Sequence, residues 1–154
     1  MKKLSNLLAA LVFVSLVIFI SCTSDSTEVP DPLQEQADLL NGSWTVSNVG
    51  YINNGLPDVS WTETGSVFTL TISNATVNGG NYATSNVPAG FEAVWPSSGS
   101  WDWANTSGSI IDRSDNVQIS ITNLTASSVT LSFDIANGRT VSGINGDWDF
   151  TFSK

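Results

Sequence analysis

The side chains able to do chemistry in this chain are few, and their types exclude more than they suggest. Its 154 residues include no histidine and a single cysteine, Cys22. Ser-His-Asp and Cys-His catalysis therefore lack their base, and zinc or copper sites lack their usual ligands. The basic residues are Lys2, Lys3, Arg113, Arg139 and Lys154, which gives a Schiff-base or Ser-Lys mechanism almost nothing to draw on. Carboxylates remain. A glycoside-hydrolysing pair needs two of them about 5 to 10 Å apart, and the candidates are Glu63, Glu92, Asp102, Asp112 and Asp115. None of their spacings implies convergence. Most fall in turns or on outward strand faces, where surface solvation is their ordinary role. Asp112 and Asp115 share one turn without the alternating acidic ligands of a calcium loop. The expectation is a protein with no catalytic residues, no metal site and no cofactor.

Aromatic side chains carry the more specific signal. Trp95, Trp101 and Trp103 lie within nine residues, out of six tryptophans in the whole chain. In an extended segment Trp101 and Trp103 point to one side and Asp102 to the other. Two indoles so placed either line an apolar cavity, stack against sugar rings, or pack as core, since large aromatics dominate small β cores. Trp61 sits beside Glu63 in a long stretch from Gly55 to Ser66 and is expected to be partly exposed, as a lid. Trp61, Trp95, Trp101 and Trp103 are the candidate ligand-binding residues.

The domain that must position these residues follows an export segment. Lys2 and Lys3 precede an apolar run from Leu7 to Ile20, then Ser21 and Cys22, which is the three-part plan of a secretory signal. The run is short of the about 20 apolar residues that span ~30 Å of hydrocarbon, and it passes into the polar stretch Thr23 to Asp38. Residues 1–21 are therefore expected to be removed. Phe19-Ile20-Ser21-Cys22 resembles the lipobox of bacterial lipoproteins. That resemblance implies a diacylated Cys22 that becomes the first residue after cleavage, and a place in the bacterial cell envelope, at the outer membrane. Two or more acyl chains also meet the physical condition for stable anchoring to a membrane. Removal of the signal leaves three basic residues against 14 acidic ones, a formal net charge of −11. A nucleic-acid partner is excluded, because neutralising phosphates takes clustered Lys and Arg.

Residues 22–39 read as a flexible tether rich in Ser, Thr, Asp and Pro, closed by a helical turn over Gln34 to Leu40. Asp25-Ser26-Thr27 within it resembles the O-glycosylation acceptor of Bacteroidota. From residue 40 to residue 154 the pattern is all-β. Phe68 to Ile72, Val117 to Ile121, Val129 to Ile135 and Trp148 to Phe152 alternate apolar and polar residues with period two, which turns one strand face inward. Weaker strands are expected over Trp44 to Tyr51, Thr76 to Thr84, Phe91 to Trp95 and Ser100 to Ile111, the last broken near Asn105 to Ser107. Turn chemistry separates them at Asn53-Asn54-Gly55, Asn78-Gly79-Gly80-Asn81, Asp112 to Asn116 and Asn137-Gly138.

Gly42-Ser43-Trp44 at the mouth of the first strand, followed by about eight strands and ending in Asp149-Phe150-Thr151-Phe152, resembles the Gly-X-Trp opening of lipocalins. The resemblance implies an eight-stranded antiparallel up-and-down barrel, with Gly42 and Trp44 forming the plug at its closed end. A β-sandwich is the alternative. Lipocalins often cover that Trp with a late Arg, and Arg139, in a turn, is the nearby candidate. The function expected is non-enzymatic, lipid-anchored binding of a small apolar or amphipathic ligand inside the barrel. The rival readings are a surface glycan-binding module using exposed tryptophans, and a structural lipoprotein that meets another envelope protein. An enclosed cavity favours the first, an exposed coplanar indole pair the second.

Overall fold

The computed structural model describes residues 31–51, 61–63, 65–135 and 144–154. Within them one helix, α1 (Pro32–Leu40), precedes eight strands: β1 (Gly42–Tyr51), β2 (Thr69–Thr76), β3 (Gly79–Ser85), β4 (Ser98–Trp103), β5 (Ile110–Arg113), β6 (Val117–Thr122), β7 (Ser128–Ile135) and β8 (Gly146–Ser153). Each strand pairs antiparallel with its sequence neighbour, and β1 also pairs with β8, so the sheet closes into an up-and-down barrel. This is the lipocalin-like architecture, and the sandwich alternative is set aside. Closure leaves no unpaired sheet edge.

The helix extends the expected turn toward the amine end. Asp31 caps it by accepting from the Leu33 N–H at 2.9 Å, and Pro32 occupies the first turn, where its missing N–H costs nothing. Ala37 and Leu40 are buried in the barrel core. The packed unit therefore begins near Pro32 rather than at residue 40. The expected tether loses its last eight residues because their apolar face finds a surface to cover. The rest of the tether, its Asp25-Ser26-Thr27 sequence, the signal segment and Cys22 lie outside the described residues.

Two phase slips in the alternation explain why the first strand reads weakly and why the second runs past its expected end. In β1, Trp44 and Val46 face inward at even positions, but Val49 and Tyr51 pair opposite the inward Phe150 and Trp148. A β-bulge between Val46 and Asn48 absorbs the extra residue, and the hydroxyl of Ser47 donates to the Thr151 carbonyl. In β2 the inward set steps from Leu70 and Ile72 to Ala75, with Asn74 in the left-handed region at φ 54°. The slip frees both backbone groups of Ala75. Asn41, just past α1, takes them: its Nδ2 donates to the Ala75 carbonyl at 3.2 Å, and its Oδ1 accepts from the Ala75 N–H at 3.0 Å.

The other expected strands divide between agreement and correction. Ser100 to Ile111 is broken as anticipated, into β4 and β5. Thr76 to Thr84 is cut by a two-residue turn at Val77 and Asn78, so β3 begins only at Gly79. Phe91 to Trp95 is not a strand. It is a compact turn in which the Val94 and Trp95 N–H groups both donate to the Phe91 carbonyl. Pro88 and Pro96 bracket that turn, and its apolar residues recur at a one-turn spacing rather than alternating.

Candidate functional site

The closed end of the barrel is built around Trp44. This side chain is fully buried, and its Nε1–H donates to the Leu40 carbonyl at 2.7 Å, satisfying one of the orphan acceptors at the end of α1. Gly42, at φ 131°, turns the chain from helix into strand two residues earlier. The cation over the indole is Lys154, with Nζ 4.2 Å from the ring centroid. The same ammonium donates to the carbonyls of Leu39 and Asn41 at 2.8 and 2.7 Å. Burial holds the Lys154 amine below its ordinary value of 10.5. Lys154 thus occupies the place expected for Arg139, which lies outside the described residues. A late basic residue next to the last strand was visible in the sequence, but only the β1–β8 pairing shows that it reaches Trp44.

The opposite end is filled by connections. Trp61, expected to be an exposed lid, is only 4 % exposed. It points down into the barrel, where its ring meets Phe68, Phe91, Trp148 and Phe150 with centroids 5.0 to 6.0 Å apart. The connection between β3 and β4 contributes Phe91, Val94 and Trp95 to the same core. Trp95 packs edge-on against Phe133, Phe150 and Phe152. Apolar side chains in a polar loop sequence find the open mouth of the barrel, which is the nearest place to leave water.

Arg113 was placed in a turn by its neighbours Asp112 and Ser114, yet it is the last residue of β5, faces inward and is 2 % exposed. Its Nε and Nη2 donate to the two carboxylate oxygens of Asp115 at 2.7 and 2.8 Å, a bidentate pair. Nη1 donates to the Val94 carbonyl at 2.9 Å, tying the β3–β4 connection to β5. The guanidinium also lies over the rings of Trp95, Phe133 and Tyr82, 5.1 to 6.0 Å from their centroids. Nothing in the local sequence marks this residue as internal; its register with Trp101 and Val117 does.

Trp95 and Trp101 come together around one small cavity of about 10 Å³, which Tyr82 and Arg113 also line. Trp101 faces inward as alternation demanded, with Asp102 outward. Trp103 is half-buried, meets Trp101 in a T-shaped contact at 83°, and donates its Nε1–H to the Thr76 carbonyl. The two are therefore not the coplanar pair a sugar platform needs. Two glycines make room for the rings on these strands. Gly80 lies opposite Trp101, and Gly99 lies opposite Tyr82, whose ring would sit 2.7 Å from a Cβ at that position.

Of the acidic candidates, Asp102 and Asp112 are brought directly opposite each other on β4 and β5, both on the exposed face, a pairing that their sequence spacing did not suggest; the others stay apart. Glu63 and Asp102 are exposed, Glu92 accepts from the Gly90 N–H, Asp112 accepts from Gln118, and Asp115 is taken by Arg113. Among the described residues no three His, Cys, Asp or Glu side chains group to hold a metal ion. A second pair of facing carboxylates lies outside the candidates. Asp134 and Asp147 are directly opposite on β7 and β8, with Asp149 two residues on, around a shallow outer groove of about 370 Å³. Register creates that pair, and sequence spacing does not contain register. No helix among the described residues is long and apolar enough to cross a membrane. No protein-family model matches the chain, and no curated protein is significantly similar to it.

Proposed function

We propose that this chain is a lipid-anchored envelope protein that acts by binding rather than by catalysis, with its barrel as a solid support and its partner, another envelope protein, on the outside. The observation that carries this reading is the packing of the interior among the described residues. Trp61, Trp95 and Trp101, the residues expected to hold a guest, are themselves core, and the space they enclose is about 10 Å³. A chamber for a small molecule takes about 300 to 1,000 Å³. Eight strands make a barrel just wide enough for side chains to fill, and among the described residues these tryptophans take part in filling it.

Anchoring through Cys22 fits the same picture. Nine residues lie between Cys22 and Pro32, so even fully extended chain holds α1 within about 35 Å of the lipid. Cys22→Ala should move the mature protein from the membrane to the soluble fraction, and retention on membranes after clean signal removal would overturn the anchor.

One observation favours the second reading, a small amphipathic guest inside the barrel: the indole N–H groups of Trp95 and Trp101 are buried without acceptors. A single titration separates the two readings. Unlipidated mature protein is titrated with a long-chain fatty acid, an apolar dye and a neutral oligosaccharide, following tryptophan emission and the unfolding temperature. The support reading expects no saturable change with any of them. A stoichiometric response to the fatty acid or the dye would establish an internal site, and one to the oligosaccharide would establish a glycan module.

A further inference from the structure

Three Asn-Gly pairs fall within the described residues: Asn41-Gly42, Asn78-Gly79 and Asn145-Gly146. In each the glycine stands at positive φ, 131°, 102° and 135° in turn. Asparagine before glycine is the dipeptide most open to loss of its side-chain amide, because no Cβ hinders attack by the following backbone nitrogen. The fold treats the three pairs differently.

Asn41 is held at both ends of its amide, which donates to the Ala75 carbonyl at 3.2 Å and accepts from the Ala75 N–H at 3.0 Å. Its peptide carbonyl also accepts from Lys154 Nζ at 2.7 Å. The peptide joining Asn145 to Gly146 is fixed by the Tyr51 hydroxyl, which donates to its carbonyl at 2.6 Å, and Gly146 is buried and paired with Ile135. The Asn145 Oδ1 is buried as well, away from the water that would stabilise the charge developing on it. Asn78 stands exposed in the two-residue turn between β2 and β3. Its backbone N–H donates to the Thr76 hydroxyl at 3.2 Å, and its side-chain amide has no hydrogen-bond partner among the described residues. Nor can the turn dispense with its glycine: a Cβ at Gly79 would collide with the Trp101 carbonyl and lie 2.9 Å from the Asp102 Cα.

We propose that Asn78 is a site of spontaneous covalent modification, at which this turn converts its own amide to a carboxylate. The Gly79 nitrogen attacks the Asn78 Cγ, forming a C–N bond. The Cγ–Nδ2 bond breaks, and ammonia leaves with the proton given up by Gly79. Water then opens the five-membered imide at either carbonyl, leaving aspartate at 78 or its isomer with the main chain routed through the side-chain carbon. No oxidant or cofactor is consumed. The isomer lengthens a turn that is tied by the Thr76 hydroxyl to the Gly79 carbonyl and by Trp103 Nε1 to the Thr76 carbonyl. Either product adds a negative charge next to Gly79, against which the Asp102 carboxylate already lies. The site is independent of what the barrel binds.

The test holds the mature, unlipidated chain folded at mildly alkaline pH in heavy-oxygen water and maps chymotryptic peptides by mass spectrometry. Heavy oxygen is expected at residue 78, in two separable isomers, about tenfold or more faster than at 41 or 145, which must first break their hydrogen bonds. In urea the difference between the three sites should close. Asn78→Ser should remove the label from the peptide that contains the turn and leave the unfolding midpoint unchanged. Incorporation at Asn41 or Asn145 as fast as at Asn78 in the folded chain would overturn the proposal. So would an Asn78 that reacts only when unfolded, or a ranking that urea leaves intact, since the cause would then lie outside the fold.

Discussion

Removing the Asp115 carboxylate tests whether the Arg113–Asp115 ion pair is held as its geometry implies. Arg113 is 2 % exposed and Asp115's side chain 25 %, so the pair is buried on one side and wet on the other. In Asp115→Ala the guanidinium keeps its bond to the Val94 carbonyl and remains charged inside an aromatic cage. Breaking a fully buried pair costs about 3 to 5 kcal/mol. Water access at Asp115 reduces that, and a loss of about 2 to 3 kcal/mol is expected. Replacing both members, as Arg113→Met with Asp115→Ala, removes the stranded charge and leaves the Val94 carbonyl short of this donor, a loss of about 1 kcal/mol. The double variant should therefore be more stable than Asp115→Ala alone. Urea unfolding of the unlipidated mature chain, followed by tryptophan emission at constant m-value, measures these two variants and Arg113→Met alone. If Asp115→Ala costs under about 0.5 kcal/mol, or if the two single losses simply add, the cation is not held by this pair and the reasoning fails.

The other expectations concern the two ends and the outer face. Gly99→Ala puts a methyl 2.7 Å from Tyr82 ring atoms, so it should cost about 1 to 3 kcal/mol of unfolding free energy by overpacking, and adding Tyr82→Leu should recover part of it. Lys154→Met should cost about 1 to 2 kcal/mol through the lost helix-end contacts and speed amide exchange in α1; unchanged exchange would refute the latch. Because burial lowers the Lys154 amine, the folded state binds this proton more weakly than the unfolded chain. The resulting penalty is fully present below the folded value and relieved as pH rises through the ordinary 10.5. Wild type should accordingly gain on Lys154→Met between the two values, as read from unfolding midpoints; a widening deficit would contradict it. Asp134→Asn relieves a like-charge pair directly across β7 and β8, and should stabilise by about 0.2 to 1 kcal/mol at low salt, fading as salt is raised.

What the sequence disclosed of this fold follows from which interactions are local. Alternation in β2, β6, β7 and β8 is uninterrupted over five or more residues, and these strands stand where alternation put them. The first strand carries the same signal with its phase shifted at Ser47, so it reads as weak until the bulge is seen. Trp101 and Trp103 were readable as a same-face pair for the same local reason. Facts about register were not. The cross-strand meeting of Asp134 with Asp147, the inward turn of Arg113 and the reach of Lys154 to Trp44 depend on pairing between segments far apart in sequence. The compact turn at Phe91 to Trp95 lay between these cases. Its bracketing prolines were visible, and its apolar residues nonetheless suggested a strand.

Whether such a barrel is a chamber or a support is decided in its connections rather than its strands. Inward residues of β2, β6, β7 and β8 are ordinary aliphatic and aromatic side chains, suited equally to packing one another or to lining a space. What occupies the centre is delivered from outside the strands: Trp61 from the segment before β2, and Phe91, Val94 and Trp95 from the segment before β4. Each is a large apolar side chain in an otherwise polar loop, and each gains the transfer free energy of leaving water, about 1.5 to 3 kcal/mol for a fully buried apolar side chain. A guest would have to displace them and match that gain before contributing any affinity of its own. Arg113, holding the Val94 carbonyl from β5, adds to what must be undone. The energetic balance therefore favours these side chains over a guest at the barrel's centre.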